Sequence, residues 1–354
     1  MIPPGETIGI LGGGQLGRMI AMAAAQLGYR CHIYAPEADS IAAEVSAAFT
    51  CAAWDDAEAM AKFGADCAVV TYEFENVPVA PLAALGDVPL LAHARALETA
   101  QDRLNEKRFV TELGGTPAPS FPVDSAEDLA AAIAEIGTPG ILKTRRDGYD
   151  GKGQWRIMTP ADAEGLDLPA QPLIYEGFVT FFAEFSVILC RGADGDIRYF
   201  DSAENVHESG ILALSTVPAS SGILEQLPAA RALAAKVAEA LDYVGVLTLE
   251  FFATENGPVF NEMAPRVHNS GHWTIEGAVT SQFENHVRAI CGLPLGGTGL
   301  AANKVEMRNL IGDEAHDWPT ILADPANHLH LYGKEAARPG RKMGHVTRLV
   351  FGQD

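Results

Sequence analysis

The sequence predicts an α/β fold that changes to α+β in its later part. The first hundred residues alternate short apolar segments with alanine-rich stretches, which is the rhythm of strand–helix–strand units on a parallel sheet. After about Leu173 the apolar segments are separated mainly by turn signals, which indicates antiparallel strands. A length of 354 residues with 48% hydrophobic residues suggests two or three domains.

Local signals place the N-terminal elements in order. The segment "TIGIL" is predicted to be a strand, "GGGQLG" a turn, and Gln15 to Leu27 a helix that Gly28 ends. The segments "RCHIYA" and "DCAVVTYEFE" follow as further strands. We therefore expect a parallel-sheet domain over residues 1–98.

The three prolines of "TPAPSFPV", which follow a predicted helix from Asp102 to Leu113, indicate passage into a second domain. A helix from Ser125 to Ile136, the strand "GILKT" and a glycine-rich loop come next, and we assign residues 99–172 to this domain. Residues 173–354 form the last division. Its predicted elements are the strands "PLIYEGFV", "AEFSVILC", "IRYFDSAENV" and "GILALSTV", a helix from Pro228 to Leu241, and the hairpin "VLTLEFFATENGPVFNEM".

Composition excludes several classes of protein. A formal net charge of −21 argues against a general nucleic-acid binder, because phosphate backbones are held mainly by clustered cations. No apolar run approaches the ~18 residues of a membrane span, and the N-terminus lacks the basic region of a signal peptide. The five cysteines are scattered without a C-x-x-C pair, so we expect buried, reduced thiols and a cytoplasmic protein.

A first glycine motif, Gly12-x-Gly14-x-x-Gly17, lies between a predicted strand and helix, with Glu37 twenty residues further on. This arrangement is typical of a nicotinamide dinucleotide site. It is equally what any tight strand-to-helix turn needs, and the amides of such a turn can bind any phosphate. The motif alone leaves both interpretations open.

A second glycine-rich segment follows a lysine. Lys143 projects from the strand "GILKT", and Gly148, Gly151 and Gly153 come within the next ten residues. A lysine beside a flexible loop can hold a triphosphate while the loop covers it, although the spacing is not that of a P-loop. A charged surface turn is the simpler alternative, and it leaves the density of glycines beside the lysine unexplained.

Two glutamates are predicted to face each other across the late hairpin. A three-residue loop Glu255-Asn256-Gly257 would pair Thr254 with Pro258 and therefore Glu250 with Glu262. Two carboxylates at directly opposite positions repel, and oxygen ligands of this kind suit Mg²⁺. An exposed, solvated pair is the alternative, against which the neighbouring phenylalanines argue.

Taken together, these segments resemble those of the ATP-grasp ligases over the whole length of the chain. More narrowly, the chain is similar to the family of 5-(carboxyamino)imidazole ribonucleotide synthases of bacterial purine biosynthesis. The resemblance implies an ATP-grasp fold behind a Rossmann-like N-terminal domain, with 99–172 as its small and 173–354 as its large subdomain. The segments that carry it are "GILGGGQLGRM", "QDRLNEK", "KTRRDGYDGKGQW", "ENVHESGIL", "NEMAPRVHNSGHWT" and "RPGRKMGH".

The resemblance implies an ATP- and bicarbonate-dependent carboxylation of the amine of 5-aminoimidazole ribonucleotide, with Mg²⁺ bound by Glu250 and Glu262. It implies no nucleic-acid or membrane partner, and a homodimer. The ATP site that it implies comprises Arg103, Lys143, Gly148, Tyr149, Asp150, Gly151, Lys152, Gly153, Gln154, Glu176, Gly177, Phe178, Val179, Glu184, His207, Asn261 and Glu262. The usual superfamily asparagine two residues after the second metal glutamate is Ala264 here, so the full metal shell stays open.

The acceptor site implied by the same resemblance combines several segments. Asp150, Arg266 and His268 are its expected catalytic residues, and Lys334 and Arg341 are expected to clamp the 5′-phosphate of the ribonucleotide. Its expected substrate-binding residues are Glu73, Tyr149, Arg266, His268, Asn269, Lys334 and Arg341. His268 and His272 have the spacing of a zinc pair, but the intervening Asn-Ser-Gly disfavours the helix that such a pair needs.

Three other functions remain as alternatives. A sister ATP-grasp ligase, such as a formate-dependent glycinamide ribonucleotide transformylase or biotin carboxylase, would share the nucleotide site and differ at the acceptor. An NAD(P)-dependent oxidoreductase would use the first glycine motif and leave Lys143 and the glutamate pair without a role. A non-catalytic nucleotide sensor would keep the fold without turnover, which the intact glutamates at both metal positions disfavour.

Overall fold

The computed structural model describes residues 1–148 and 153–352, which fold into three β-sheets. The first 100 residues contain β1 (Thr7–Leu11), α1 (Gln15–Gln26), β2 (Arg30–Ala35), β3 (Ala48–Cys51), α2 (Ala57–Ala65), β4 (Val69–Tyr72) and α3 (Ala94–Ala100). The strands pair in parallel in the order β3-β2-β1-β4, which we call the N-terminal sheet. This confirms the predicted parallel sheet, while the predicted domain boundary at residue 98 stays a prediction.

The small sheet follows, and its pairs are antiparallel in the part of the chain that is described. The elements of this region are α4 (Arg103–Glu112), β5 (Ser120–Val123), α5 (Ala126–Ile136), β6 (Gly140–Thr144), β7 (Gln154–Ile157) and β8 (Leu173–Gly177). The strand order is β5-β8-β6-β7, so β8, predicted to belong to the last division, pairs within the small sheet instead. Asp102 and Ser125 cap α4 and α5 by accepting hydrogen bonds from backbone amides. Both helices therefore begin where the sequence predicts.

The large sheet takes up most of the remaining chain. Its region contains β9 (Ala183–Arg191), β10 (Ile197–Tyr199), β11 (Ala203–Glu208), β12 (Ile211–Val217), α6 (Ser221–Leu224), α7 (Leu227–Ala240), β13 (Gly245–Thr254), β14 (Gly257–Ala264), α8 (Thr274–Gly277), α9 (Gln282–Ile290), β15 (Lys304–Ile311), α10 (Trp318–Leu322), β16 (Asn327–Leu331) and β17 (Lys342–Val350). The order is β14-β13-β9-β11-β12-β15-β17-β16, with β10 also on β9. The segment "IRYFDSAENV", predicted as one strand, is two. After Phe200, whose amide still donates to Ile188 of β9, the chain leaves the ladder and rejoins the same strand at Ala203.

The N-terminal sheet and the large sheet share their apolar cores, whereas the small sheet has its own. Buried side chains of the N-terminal sheet, such as Ile8 and Val70, belong to the same apolar clusters as Val246 and Leu247 of the large sheet. The small sheet has a cluster of its own, which among the described residues contains Val123, Leu129, Ala132, Leu142, Ile157, Leu173 and Tyr175. The small sheet is thus a separately packed unit beside a continuous two-sheet body.

The β13–β14 hairpin corrects one sequence prediction and keeps its consequence. Its loop has two residues, so that Thr254 pairs with Gly257, and the predicted pairing of Thr254 with Pro258 is wrong by one position. A β-bulge between Glu250 and Phe251 then shifts the register and places Glu250 opposite Glu262. Gly257 has φ +110°, a conformation that favours glycine. The bulge therefore restores the glutamate pair that the loop would have displaced.

The five cysteines are free, as predicted. Cys31, Cys190 and Cys291 are buried, whereas Cys51 is exposed and Cys67 only partly covered, so the expectation that all are buried is wrong for these two. Cys51 is the last residue of β3 at the edge of the N-terminal sheet, where its side chain reaches solvent. No helix within the described residues is long and apolar enough to cross a membrane.

His286 joins the N-terminal sheet to the large sheet. Its Nε2 lies 2.9 Å from Thr71 Oγ1 on β4, and its Nδ1 accepts a 3.1 Å hydrogen bond from the amide of Val246 on β13. Because Nδ1 accepts, the network assigns the proton of the neutral ring to Nε2. Burial lowers the pKa of His286 to about 4.

We expect the His286 contact to be lost in acid. The pKa is lower in the folded than in the unfolded protein, so the stabilisation is complete above pH ~6.5 and disappears as the pH falls towards 4. The stability advantage of the wild type over His286→Gln should therefore shrink by about 3 kcal/mol over this range, as measured by denaturant unfolding. An exposed histidine, His316, provides the control substitution. An advantage that does not change with pH would contradict the assignment.

Candidate active site

A polar cavity of about 220 Å³ lies where the three sheets meet. Its walls come from the start of α1 and the segment after β4, from the end of α3 and from α4, and from the loop after β6. The large sheet contributes the β11–β12 hairpin, β13, β14 with the segment that follows it, and the start of β17. Eight residues that the sequence analysis singled out line it: Arg103, Gly148, His207, Glu250, Glu262, Arg266, His268 and Asn269. Folding therefore brings together segments that lie far apart in the sequence.

The glutamate pair is the electrostatic centre of this cavity. Arg103 Nη1 donates a 3.0 Å hydrogen bond to Glu262 Oε2. This contact outweighs the effect of burial and holds the pKa of Glu262 below its usual range. Burial and the neighbouring Glu262 raise the pKa of Glu250 to about 7. Arg103 thus offsets the charge of Glu262, whereas the charge of Glu250 is poorly compensated by the cations of the protein.

His268 approaches the poorly compensated carboxylate. Its Nε2 lies 3.2 Å from Glu250 Oε1, and its Nδ1 accepts from the amide of Ser270 at 3.3 Å. Burial, Arg266 and Lys342 lower the pKa of His268 well below its usual value, so the imidazole is neutral at neutral pH. Because Nδ1 accepts, the proton of the ring is assigned to Nε2, facing Glu250.

The segment after β14 presents two more polar groups. Arg266 forms an ion pair with Glu75, which the sequence analysis did not single out. The side-chain nitrogen and oxygen of Asn269 are buried and have no hydrogen-bond partner within the described part of the chain. Buried amides are normally hydrogen-bonded, so Asn269 is suited to a polar ligand in this cavity.

Lys143 is not among the described residues that line the cavity, and it belongs to an ion-paired cluster. Lys143 Nζ is 2.8 Å from Glu176 Oε2, and Lys107 Nζ is 3.3 Å from Glu176 Oε1. Burial opposes the ionisation of Glu176, but the two lysines outweigh it and lower the pKa to about 2. The side chain of Glu176 is thus the counter-charge of Lys143 in this structure.

Two backbone amides that directly follow Glu176 are already hydrogen-bonded within the protein. The amides of Gly177 and Phe178 donate to the carbonyls of Pro119 and Pro139 at 2.8 and 3.1 Å. Their adenine contact, and that of Val179, stays a prediction. Glu184 is paired with His207 at 2.5 Å. Burial opposes the protonation of His207, but Glu184, Glu250 and Glu262 together outweigh it and raise the pKa of His207.

The other predicted ATP-site residues lie nearby. Gly153 is the first residue described after Gly148, and its carbonyl accepts a hydrogen bond from the amide of Thr144. Gln154 on β7 pairs with Lys143 on β6. The carbonyl of Asn261 accepts from Lys107 Nζ. Tyr149, Asp150, Gly151 and Lys152, to which the sequence analysis assigned loop, substrate and catalytic roles, lie outside the described residues.

Glu73, which directly follows β4, lies beneath the glycine turn. Its carboxylate accepts hydrogen bonds from the amides of Gly14 (2.9 Å) and Gly17 (3.2 Å) and is buried beneath the glycine turn. A Cβ on Gly12 would lie 2.6 Å from Glu73 Oε1, which explains why this turn needs glycine. The turn amides that a dinucleotide would need are therefore occupied by Glu73, and its contact with a substrate stays a prediction.

The C-terminal cations Lys334, Arg341 and Lys342 differ in whether they line the cavity. Lys342 lines the cavity, although the sequence analysis did not assign it. Lys334 Nζ donates to the carbonyl of Lys342 at 2.7 Å. Arg341 Nη1 donates to the carbonyl of Ala336 at 2.9 Å and is not among the residues that line the cavity within the described chain. Their phosphate contact stays a prediction.

The donor set is compatible with a divalent cation held partly by substrate. No group of three or more His, Cys, Asp or Glu side chains in residues 1–148 and 153–352 is arranged to hold a metal by itself. Glu250 and Glu262 nevertheless face each other in one cavity, and Glu250 lacks a full counter-charge. Mg²⁺ typically takes one or two carboxylates together with water and substrate phosphates.

Comparison with known proteins agrees with this geometry. Residues 5–101 match the ribonucleotide synthetase preATP-grasp domain, residues 108–283 the ATP-grasp domain, and residues 306–350 the phosphoribosylaminoimidazole carboxylase C-terminal domain. The chain is 51% identical to N5-carboxyaminoimidazole ribonucleotide synthase of Brucella melitensis, over 98% of this chain and 97% of that protein.

Solved structures show the same relationship. The N5-carboxyaminoimidazole ribonucleotide synthetase of Thermus thermophilus superposes with a TM-score of 0.90 at 47% identity, covering 98% of this chain and 94% of that one. The synthase of Aspergillus clavatus, in complex with ADP and 5-aminoimidazole ribonucleotide, superposes with a TM-score of 0.87 at 31% identity over 98% and 94% of the chains. The chain belongs to the N5-carboxyaminoimidazole ribonucleotide synthases, a family of ATP-grasp ligases of purine biosynthesis.

Proposed function

We propose that this chain uses ATP to activate bicarbonate and transfers the carboxyl group to the amine of 5-aminoimidazole ribonucleotide. The products are N5-carboxyaminoimidazole ribonucleotide, ADP and phosphate. The observation that carries this proposal is the facing pair Glu250 and Glu262, which shares one cavity with Arg103, Arg266 and His268. Cations and carboxylates at this density suit the transfer of a phosphoryl group between two anionic substrates.

ATP is assigned to the face of the cavity between the small and large sheets. Arg103 and Lys143 hold its phosphates, with the loop from Gly148 to Gln154 over them. The remaining polar backbone groups of residues 176–179 meet adenine, and Glu184 meets the ribose. The support is position, since Arg103 and Gly148 line the cavity and Lys143 needs only to exchange Glu176 for a phosphate as its counter-charge.

Mg²⁺ is assigned to Glu250 and Glu262. When bound, it would offset the negative charge of the transferring phosphoryl group and of the leaving ADP. The support is the raised pKa of Glu250, which burial and the charge of Glu262 cause together. Arg103 already contacts Glu262 and so orients this carboxylate before any ligand arrives.

The acceptor chemistry is assigned to the segment after β14. A bicarbonate oxygen takes the γ-phosphoryl group, which gives carboxyphosphate. The amine nitrogen then bonds to its carbon, or to CO₂ released from it, as phosphate leaves and the nitrogen loses a proton. Arg266 is assigned to offset charge on the carboxyl group, and Asn269 offers an unpaired amide. Neutral His268, whose Nε2 proton faces Glu250, is assigned to orient the reacting groups, and the departing phosphate takes the proton that the nitrogen loses. Asp150, outside the described residues, is assigned to the same step.

The ribonucleotide is assigned to the acceptor end of the cavity, with Lys334 and Arg341 on its 5′-phosphate and with Glu73 and Tyr149 as further contacts. The nearby cation Lys342 supports a positively charged site at this end. A cytoplasmic homodimer completes the proposal, for which the free cysteines and the family resemblance are the support.

We expect ADP release that requires bicarbonate and 5-aminoimidazole ribonucleotide together. The assay mixes the protein with Mg·ATP and follows ADP with each substrate omitted in turn. Glycinamide ribonucleotide with formate tests the sister-ligase alternative, and oxidation of NADH tests the oxidoreductase alternative. ADP release with glycinamide ribonucleotide and formate, and none with the imidazole substrate, would overturn the proposed acceptor.

A further inference from the structure

The beginning of α4 contacts both sheets that enclose the cavity. Asp102 pairs with Arg145 Nη2 at 2.7 Å beside the glycine loop. One turn later, Glu106 and Lys107 point towards β14, with only 2% and 3% of their surfaces exposed. A carboxylate and an ammonium group are seldom buried unless specific partners hold them. Their partners therefore indicate what they do.

The partners are backbone groups on either side of Glu262. Glu106 Oε1 accepts a 2.6 Å hydrogen bond from the amide of Met263, and Lys107 Nζ donates a 3.3 Å hydrogen bond to the carbonyl of Asn261. β14 is the edge strand of the large sheet, so these groups have no neighbouring strand to pair with. The two side chains of α4 thus supply the hydrogen bonds that a further strand would have made.

This support acts where the strand is irregular. The bulge lies between the pairs Glu250–Glu262 and Phe251–Phe260, which leaves Asn261 without a residue opposite it. A bulge interrupts the ladder and re-aims the neighbouring side chains. The register that places Glu262 opposite Glu250 is consequently held on one side by β13 and on the other by α4.

We propose that Glu106 and Lys107 are positioning residues that fix the carboxylate of Glu262 by holding the backbone on both sides of it. Glu106 also lines the cavity, but neither residue is assigned to substrate or metal, and the role proposed for both is through the strand. Lys107 also contacts Glu176 of β8 and so ties the same point to the small sheet. The inference rests on the proposed role of Glu262 in binding Mg²⁺.

The test isolates the hydrogen bond that Glu106 accepts. Glu106→Gln keeps an oxygen that can accept from the amide of Met263, whereas Glu106→Leu removes it and leaves the amide buried and unpaired. We expect Glu106→Leu to lower kcat roughly ten- to hundredfold, because small displacements of catalytic groups have effects of this size. We expect Glu106→Gln to recover most of the loss.

A binding measurement without turnover gives the second readout. We expect the affinity for ADP in the presence of Mg²⁺, measured by calorimetry, to fall about tenfold in Glu106→Leu, while the affinity for ADP without metal stays within about twofold. A loss of folded protein would weaken both equally. Lys107→Met, which removes the other backbone contact, should likewise lower the Mg²⁺-dependent part, and it tests the inference if Glu106→Leu does not fold.

Lys236→Met is the matched control. Lys236 Nζ donates a 3.3 Å hydrogen bond to the carbonyl of Leu113 just beyond the other end of α4, far along the chain from Glu262. Lys236→Met should leave kcat and the Mg²⁺-dependent affinity for ADP unchanged. Wild-type kcat and Mg·ADP affinity in both Glu106→Leu and Lys107→Met would overturn the inference. If Glu262→Gln itself keeps full activity, the proposed metal site fails first, so the two failures are distinguishable.

Discussion

Replacing Glu262 with glutamine is expected to abolish ATP turnover, lowering kcat on the order of a thousandfold, while the protein stays folded. The substitution removes one of the two facing carboxylates and the partner of Arg103. Mg²⁺ would then be left with Glu250 alone, and Arg103 would lose the contact that orients it. The measurement is steady-state ADP release at millimolar Mg²⁺, with circular dichroism to confirm the fold. Near-normal rates would contradict the metal site.

Glu250→Gln is the companion variant, and it should differ from Glu262→Gln in stability. Relief of repulsion between the carboxylates predicts a more stable metal-free protein for either change. The ion pair with Arg103 alters this for Glu262, so we expect the gain only in Glu250→Gln. Because the pKa of Glu250 is raised to about 7, its ionisation destabilises the fold increasingly as the pH rises to 7. The gain in melting temperature should therefore be larger at pH 8 than at pH 5, and equal gains would contradict this explanation.

Replacing Arg341 with alanine is expected to raise the KM for 5-aminoimidazole ribonucleotide about ten- to hundredfold and to alter kcat less. A charge-assisted contact to a phosphate contributes ~1.5–3 kcal/mol and is made equally by the ground state and the transition state. The KM for ATP should stay nearly fixed, because Arg103 and Lys143 are assigned to that ligand. Arg341→Lys should recover only part of the loss, since an ammonium group cannot reproduce the geometry of the guanidinium.

Arg338→Ala controls for the charge of the loop that contains Arg341. Arg338 is exposed and lies three residues earlier, so its removal changes the net charge equally. It should leave the KM for the ribonucleotide within about twofold. An unchanged KM in Arg341→Ala would show that its contact with the carbonyl of Ala336 is its main role. Lys342, which lines the cavity, would then be the next candidate for the phosphate.

Local sequence signals predicted most of the elements, whereas the roles of the cavity residues came mainly from the family resemblance and stay predictions. The parallel N-terminal sheet, the helix starts at Asp102 and Ser125, and the glutamate pair follow from periodicity and turn residues. The hairpin shows the limit, because the two-residue loop and the bulge are two deviations whose effects cancel at Glu262. A bulge depends on tertiary contacts of the edge strand, here with α4, and these contacts leave no short-range signal.

Long-range partners were the part that sequence reasoning missed. Lys107 and Glu106 lie in the segment "QDRLNEK", and Lys107 follows Arg103 by four residues on the same helix face, which is a signal that could have been used. Glu75 gave no such signal, because its partner Arg266 lies 191 residues away. The burial of Glu73 beneath the glycine turn is likewise a property of two distant segments in contact. Predicting these pairs would have required the packing of the sheets.

Because the small sheet has a separate core, a substitution there should affect the stability of the protein differently from one in the shared core. A cavity made at Leu142 or Tyr175 weakens a cluster that contains no buried residue of the other two sheets among those described. Local opening there need not unfold the body of the molecule. Such a lesion would shorten the time for which nucleotide is retained, whereas one at Ile8 or Val246 would lower the stability of the whole chain. Substitutions in the core of the small sheet should therefore reduce function at normal protein abundance. Substitutions in the core shared by the other two sheets should lower the abundance of the protein itself.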